Sequence, residues 1–259
     1  MSILEEILAS TRADVERRRR AVPESALQAA SDRPPHAFRD ALAEPGLSII
    51  AEHKRRSPSA GPIRPGSSVS EVVSAYERGG AAAISVLTEQ HNFDGSLEDL
   101  RAAHAACGLP LLRKDFIVDP YQLEEAAAAG ASAVLLIVAA LPASEQLGEL
   151  HEAAGRLGLD ALVEVHDRAE LDAALAVEPA IVGVNNRDLR DFSVDIERTF
   201  ELLEAIPPGV IVVAESGITT AAHLERLREA GVGAALIGER LMRADDPAAA
   251  LAALREGTL

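Results

Sequence analysis

The chain has 259 residues, a formal net charge of −16 and a pI near 4.9. So acidic a protein lacks the dense cationic footprint that nucleic acid or an anionic membrane surface requires, and any anionic ligand must meet a local basic site. With no tryptophan and five phenylalanines, the core has to be built from Ala, Leu, Val and Ile.

The opening residues are acidic and interrupted, unlike a signal peptide, and no apolar run reaches membrane-spanning length. The first element is a helix over Ser2 to Arg20, on which Arg17 to Arg20 follow acidic Glu5, Glu6 and Asp14 and read as a solvated face. After a Pro-rich connection at Pro34 and Pro35, apolar runs alternate with stretches of helical spacing. The first run, Leu47 to Ala51, precedes the helical stretch Val69 to Arg78. Ala81 to Leu87 precedes Leu97 to Ala106, and Pro110 to Leu112 precedes Tyr121 to Ala129. Next come Ala131 to Ala139 with Ser144 to Leu157, and Ala161 to Val165 with Arg168 to Ala176. Ile181 to Val184 leads to Ile196 to Ala205, Val210 to Ala214 to Ala221 to Ala230, and Ala234 to Ile237 to Pro247 to Leu254. Gly79, Gly130, Gly158 and Gly231 stand where helix C-caps are expected. The lone cysteine, Cys107, sits at a helix end as packing; it excludes an internal disulfide and fits a reducing cytoplasm.

Continuous apolar strands separated by helices predict a parallel sheet covered on both faces, and eight such units close into a (β/α)8 TIM barrel. An open doubly wound sheet would carry a G-x-G-x-x-G turn after its first strand, and none is present there. The expectation is one domain over 1–259, with 1–46 a helical extension over the barrel mouth and 47–259 the barrel.

Of 25 basic residues only two are lysines, Lys54 and Lys114, and each follows an apolar run. A lysine kept amid arginines is a candidate for what arginine cannot do, namely lose and regain a proton. In a barrel of this kind catalytic groups come from the C-terminal strand ends. Alternation turns Glu52 and Lys54 into the mouth and His53 towards the helices. Thr88-Glu89 with Phe93, Lys114, Glu164, Asn185-Asn186-Arg187, Glu215-Ser216-Gly217 and Gly238-Glu239 sit at the other strand ends. Glu164, between Val163 and Val165, is expected to be buried with a raised pKa unless a lysine lies close. Ser216, Gly217, Gly238 and Glu239 open helical segments after strands seven and eight, where barrels place phosphate. The seven histidines are scattered, without the clustering that a metal site needs.

Five segments resemble the indole-3-glycerol phosphate synthase family: Ile50-Ala-Glu-His-Lys-Arg-Arg-Ser-Pro-Ser59, Leu112-Arg-Lys-Asp-Phe-Ile117, Val163-Glu-Val165, Gly183-Val-Asn-Asn-Arg-Asp-Leu189 and Ala214-Glu-Ser-Gly217. His53 and Ala60 depart from its usual pattern. The resemblance implies a cytoplasmic lyase of tryptophan biosynthesis acting on 1-(2-carboxyphenylamino)-1-deoxyribulose 5-phosphate, without cofactor or metal. Lys114 is then the general acid of ring closure, Glu164 the acid or base of dehydration, and Lys54, oriented by Glu52, the stabiliser of developing charge that also reaches phosphate. Asn185 holds a ribulose hydroxyl, Ser57 and Arg187 take the anthranilate carboxylate, and Pro58, Phe93, Phe116 and Leu135 line a slot for the ring. The expected partners are a phosphorylated small molecule and, transiently, other enzymes of the tryptophan pathway, with neither nucleic acid nor membrane. Alternatives left open are a phosphoribosylanthranilate isomerase-like enzyme and a non-catalytic phosphosugar-binding barrel.

Overall fold

A computed structural model describes residues 3–28, 34–58, 61–141, 143–188 and 193–257. Ser2, Ser59, Ala60 and Leu189, which figure in the sequence reading, lie outside the described residues. The eight strands are β1 (Ser48–His53), β2 (Ala83–Leu87), β3 (Leu111–Lys114), β4 (Ala133–Ile137), β5 (Asp160–Val165), β6 (Ile181–Asn185), β7 (Ile211–Glu215) and β8 (Ala234–Ile237). All neighbours are parallel and β8 closes onto β1, giving a (β/α)8 barrel.

Alternation along each strand builds two apolar layers. Ile50, Ala83, Leu112, Leu135, Leu162, Ile181, Val213 and Leu236 point inward and form one buried cluster. Ile49, Ile84, Leu111, Val134, Val163, Val182, Val212 and Ala235 point outward and pack under the helices. Helix starts are fixed by side-chain caps: Ser68 and Glu71 form a reciprocal capping box, and Ser96, Asp167, Thr220 and Asp246 cap later helices.

The structure departs from the predicted elements in ways that matter for the site. The run Ala131 to Ala139 is shorter as a strand, its end turning into a 3-10 segment at Val138–Ala140. Four strands instead run past their apolar stretches, so that Glu52, His53, Lys114, Asn185 and Glu215 are strand residues. Gly79 is right-handed, and Gly80, with φ of 85°, takes the left-handed place at that helix end, whereas Gly130, Gly158 and Gly231 do adopt it. A helix at Ala37–Leu42 and a short ladder between Arg56–Ser57 and Gly61–Pro62 had no clear signal in the sequence.

The segment before the barrel divides between its two ends. Helix Ile3–Ala21 lies on the mouth side: Ile7 and Leu8 join Phe116 and Val118, and Arg18 pairs with Glu125 at 2.6 Å. His91, after β2, is 2.8 Å from Asp14. Ala37–Leu42 instead packs against the starts of β2 and β5, where Asp160 accepts from the Arg39 backbone N–H at 2.9 Å. Phe38 and Leu42 are buried there and stopper the base, each contributing about 2 kcal/mol by leaving water. The expectation that the whole of 1–46 covers the mouth is therefore corrected, because Phe38 and Leu42 complete the inner cluster from below.

Candidate active site

The inward phase of each strand continues past its apolar part, so the same alternation that buries Leu112, Leu162 and Val213 projects Lys114, Glu164 and Glu215 into the barrel top. Lys114 Nζ donates to Glu164 Oε2 at 2.8 Å and to Glu215 Oε2 at 2.7 Å. Both carboxylates keep 2% of their side-chain surface exposed and the lysine 12%. Beside them, Lys54 Nζ donates to Glu52 Oε1 at 2.8 Å. Two backbones make room for these charges. A β-carbon on Gly183 would stand 2.3 Å from Glu215 Oε1, and one on Gly238 would stand 2.5 Å from Glu52 Oε1.

The two carboxylates on Lys114 differ electrostatically. Burial alone would raise Glu164, but Lys114, His166 and the amide of Asn185, which donates to Oε1 at 3.2 Å, bring its pKa down to about 2. Glu215 is raised to about 7, because burial and the charge of Glu164 outweigh Lys114. Its Oε1 has no hydrogen-bond partner among the described residues. Burial opposes the charge on Lys114, yet Glu164, Glu215 and Glu52 prevail and its pKa is raised, so the lysine is held as an ammonium.

Above this cluster opens a cavity of about 810 Å³. Its wall includes Glu52, Lys54, Lys114, Asn185 and Glu215, with Ser57 and Arg187 among its polar groups. Pro58, Phe93, Phe116 and Leu135 supply apolar surface, and Ser216, Gly217, Gly238 and Glu239 also border it. Of the residues given a role by the resemblance, only Glu164 lies off the wall, behind Lys114; Thr88 and Asn186, also named at the strand ends, are buried off it. His53 is buried in the outward phase, away from the cavity, and burial pushes its pKa down to about 4.

Asn185 links the parts. Its Oδ1 accepts from Ser216 Oγ at 2.9 Å and from the Arg187 backbone N–H at 3.1 Å, while its amide binds Glu164. Four residues gain importance that the sequence reading did not give them. Glu215 is the carboxylate of the trio that faces the cavity. Glu89 accepts from the backbone N–H groups of Asn92 and Phe93 at 2.7 and 3.1 Å and so folds the loop that presents Phe93. Arg240 and Arg243 border the cavity beside Gly238. The carboxylate of Glu239, expected at a phosphate site, pairs with Arg243 at 2.9 Å; its negative charge suits the arginine, and only its backbone N–H suits an anion. The signal for Glu215 was the phase of Val213 and Glu215, readable once the strand is extended by one residue. Among the described residues no group of three or more His, Cys, Asp or Glu side chains is placed to hold a metal ion, and no helix is long and apolar enough to cross a membrane.

Fold and site together define a (β/α)8 barrel with ion-paired acidic and basic side chains gathered at its mouth. Among solved structures, a thiamine phosphate pyrophosphorylase from Pyrococcus furiosus matches with a TM-score of 0.61 over 82% of this chain and 95% of that one, at 19% identity, a likeness of fold alone. The family profile for indole-3-glycerol phosphate synthase matches residues 4–254. An indole-3-glycerol phosphate synthase of Rhizorhabdus wittichii is 51% identical over 227 residues, covering 86% of each chain. Another, from Salinibacter ruber, is 48% identical and covers 98% of this chain and 96% of its own. The chain belongs to the indole-3-glycerol phosphate synthase family.

Proposed function

We propose that this protein converts 1-(2-carboxyphenylamino)-1-deoxyribulose 5-phosphate to indole-3-glycerol phosphate, carbon dioxide and water, as a single cytoplasmic domain that needs no cofactor. The observation that carries the reading is Lys114, fixed between Glu164 and Glu215 at 2.8 and 2.7 Å on the wall of a cavity with aromatic and cationic sides.

In the first step the aryl carbon bearing the carboxylate attacks the ribulose carbonyl, and Lys114 delivers its proton to the carbonyl oxygen. Asn185 and Lys54, the latter steadied by Glu52, hold that oxygen and its neighbours. Loss of carbon dioxide then returns an electron pair to the ring and restores aromaticity. The remaining hydroxyl leaves as water after receiving a proton, for which Glu215 is suited by its pKa of about 7 and its place on the wall. A proton must also come off the adjacent carbon. Once Lys114 has given up its charge, the cause that holds Glu164 low is gone, and the buried Lys114–Glu164 pair becomes basic enough to take that proton. Two protons are delivered and one recovered, so one is drawn from solvent, matching the carboxylate charge that disappears with carbon dioxide.

Arg187 and Ser57 suit the anthranilate carboxylate, the arginine through its fork of donors. Pro58, Phe93, Phe116 and Leu135 suit the ring. Ser216, Gly217, Gly238 and the backbone at Glu239 suit the phosphate, with Arg243 and Lys54 adding charge. Transient contact with other tryptophan-pathway enzymes remains part of the proposal on family grounds only. The test is indole fluorescence on adding the substrate to the wild type and to Lys114→Met. Turnover that falls about ten-thousandfold in the variant is expected; a wild type without turnover would overturn the reading.

A further inference from the structure

The turn after β7 has an unusual backbone. Ser216 has φ of 65° and Gly217 of 77°, two left-handed residues in succession. Successive backbone N–H groups in such turns face one concavity and favour an anion. No acceptor among the described residues takes the N–H of Gly217 or Ile218. Glycine adopts this shape freely, but serine carries a β-carbon that opposes it. Something must therefore hold Ser216.

Asn186 has the contacts to do so. It points away from the barrel interior, out of phase with Asn185, and has no exposed surface. Its Nδ2 donates to the Ser216 carbonyl at 3.1 Å, and its backbone N–H donates to the Glu215 carbonyl at 2.9 Å. Thr199, also fully buried, donates its hydroxyl to Asn186 Oδ1 at 2.8 Å. That bond fixes which end of the amide faces Thr199, and so aims the NH₂ at Ser216. The Asp195 backbone N–H donates to the Asn186 carbonyl at 2.9 Å, which ties the residue to the loop before the next helix.

We infer that Asn186, oriented by Thr199, is a positioning residue: it holds Ser216 in the left-handed conformation so that the Gly217 and Ile218 N–H groups face the cavity and Ser216 Oγ reaches Asn185. It touches no ligand itself. The inference rests on the reading of Ser216 and Gly217 as the phosphate cradle. Aspartate would not serve in its place, because a carboxylate has no N–H for the Ser216 carbonyl.

The test compares KM, kcat and inhibition by inorganic phosphate for Asn186→Ala in two backgrounds, wild type and Ser216→Gly. In the wild-type background, KM and the phosphate inhibition constant rise about tenfold while kcat changes less than about twofold. In the Ser216→Gly background the same replacement raises them less than about twofold, because glycine takes the left-handed shape without help. Equal effects in both backgrounds, or a loss of kcat with KM unchanged, would overturn the inference. If Asn186→Ala does not fold, Thr199→Val in the same two backgrounds carries the test, with about a threefold rise expected in the first and none in the second. Gly217→Ala separates the two levels of the argument. If it leaves phosphate inhibition unchanged, the cradle reading itself fails; if it weakens inhibition while Asn186→Ala does not, only the positioning role fails.

Discussion

The two ends of the barrel are oppositely built. At the base, Phe38 and Leu42 close an apolar interior of Ala83, Ala133, Ile181 and Ala234. At the mouth the same inward positions hold Glu52, Lys114, Glu164, Asn185 and Glu215, none more than lightly exposed. Burying apolar side chains stabilises the fold directly, whereas burying charges stabilises it only while every charge is paired. The base is therefore where stability resides, and the mouth is where a lysine held as an ammonium and a carboxylate of raised pKa are kept at some cost to the fold.

That division can be broken in order of expected effect. Lys114→Met should cost about 10⁴ in kcat, close to 5.5 kcal/mol of barrier, while inorganic phosphate still competes for binding; turnover assays and phosphate inhibition check both halves. Phe38→Ala should do the reverse, lowering unfolding free energy by about 4 kcal/mol in urea while kcat per folded molecule stays unchanged. His53 provides a third probe, since burial, helped by Arg55, pushes it from 6.5 to about 4 against the pull of Asp99 and Glu52. Between those pH values the unfolded chain binds the proton that the folded one refuses. Stability thus falls as pH drops from 6.5, by about 3 kcal/mol when pH 4 is reached. His53→Leu should remove that slope, and a series of urea melts across the window would show whether it does.

The barrel was legible because its strands are continuous apolar runs, and the helices because their apolar residues recur at helical spacing and Gly130, Gly158 and Gly231 stand at their ends. What stayed hidden follows from the same physics. A strand that ends in Glu52-His53 or Arg113-Lys114 looks finished to a hydrophobicity reading, yet register with its neighbours extends it: Glu52 lies opposite Ser85, and Lys114 opposite Leu87. Ala37–Leu42 is six residues long, too short to declare a period. The role of Glu215 depends on a 2.7 Å contact across 101 residues of chain, which no local pattern encodes. Asn186 was visible at the end of the sixth strand, but its contacts with Ser216 and Thr199 needed the folded chain. Local rules thus found the scaffold and most of the wall, and the electrostatic division of labour between Glu164 and Glu215 needed the closed barrel.

The most direct measurement of that division is the pH dependence of kcat/KM for the wild type and Glu215→Gln. The trio predicts a wild-type rate that declines as pH rises through about 7, where Glu215 loses its proton, and no acidic limb from Glu164, which stays ionised down to about 2. In Glu215→Gln the rate should be about a hundredfold lower and the limb near pH 7 absent. A variant that keeps the wild-type limb and rate would contradict the claim that the mouth of this barrel stores its working proton on Glu215 beside Lys114.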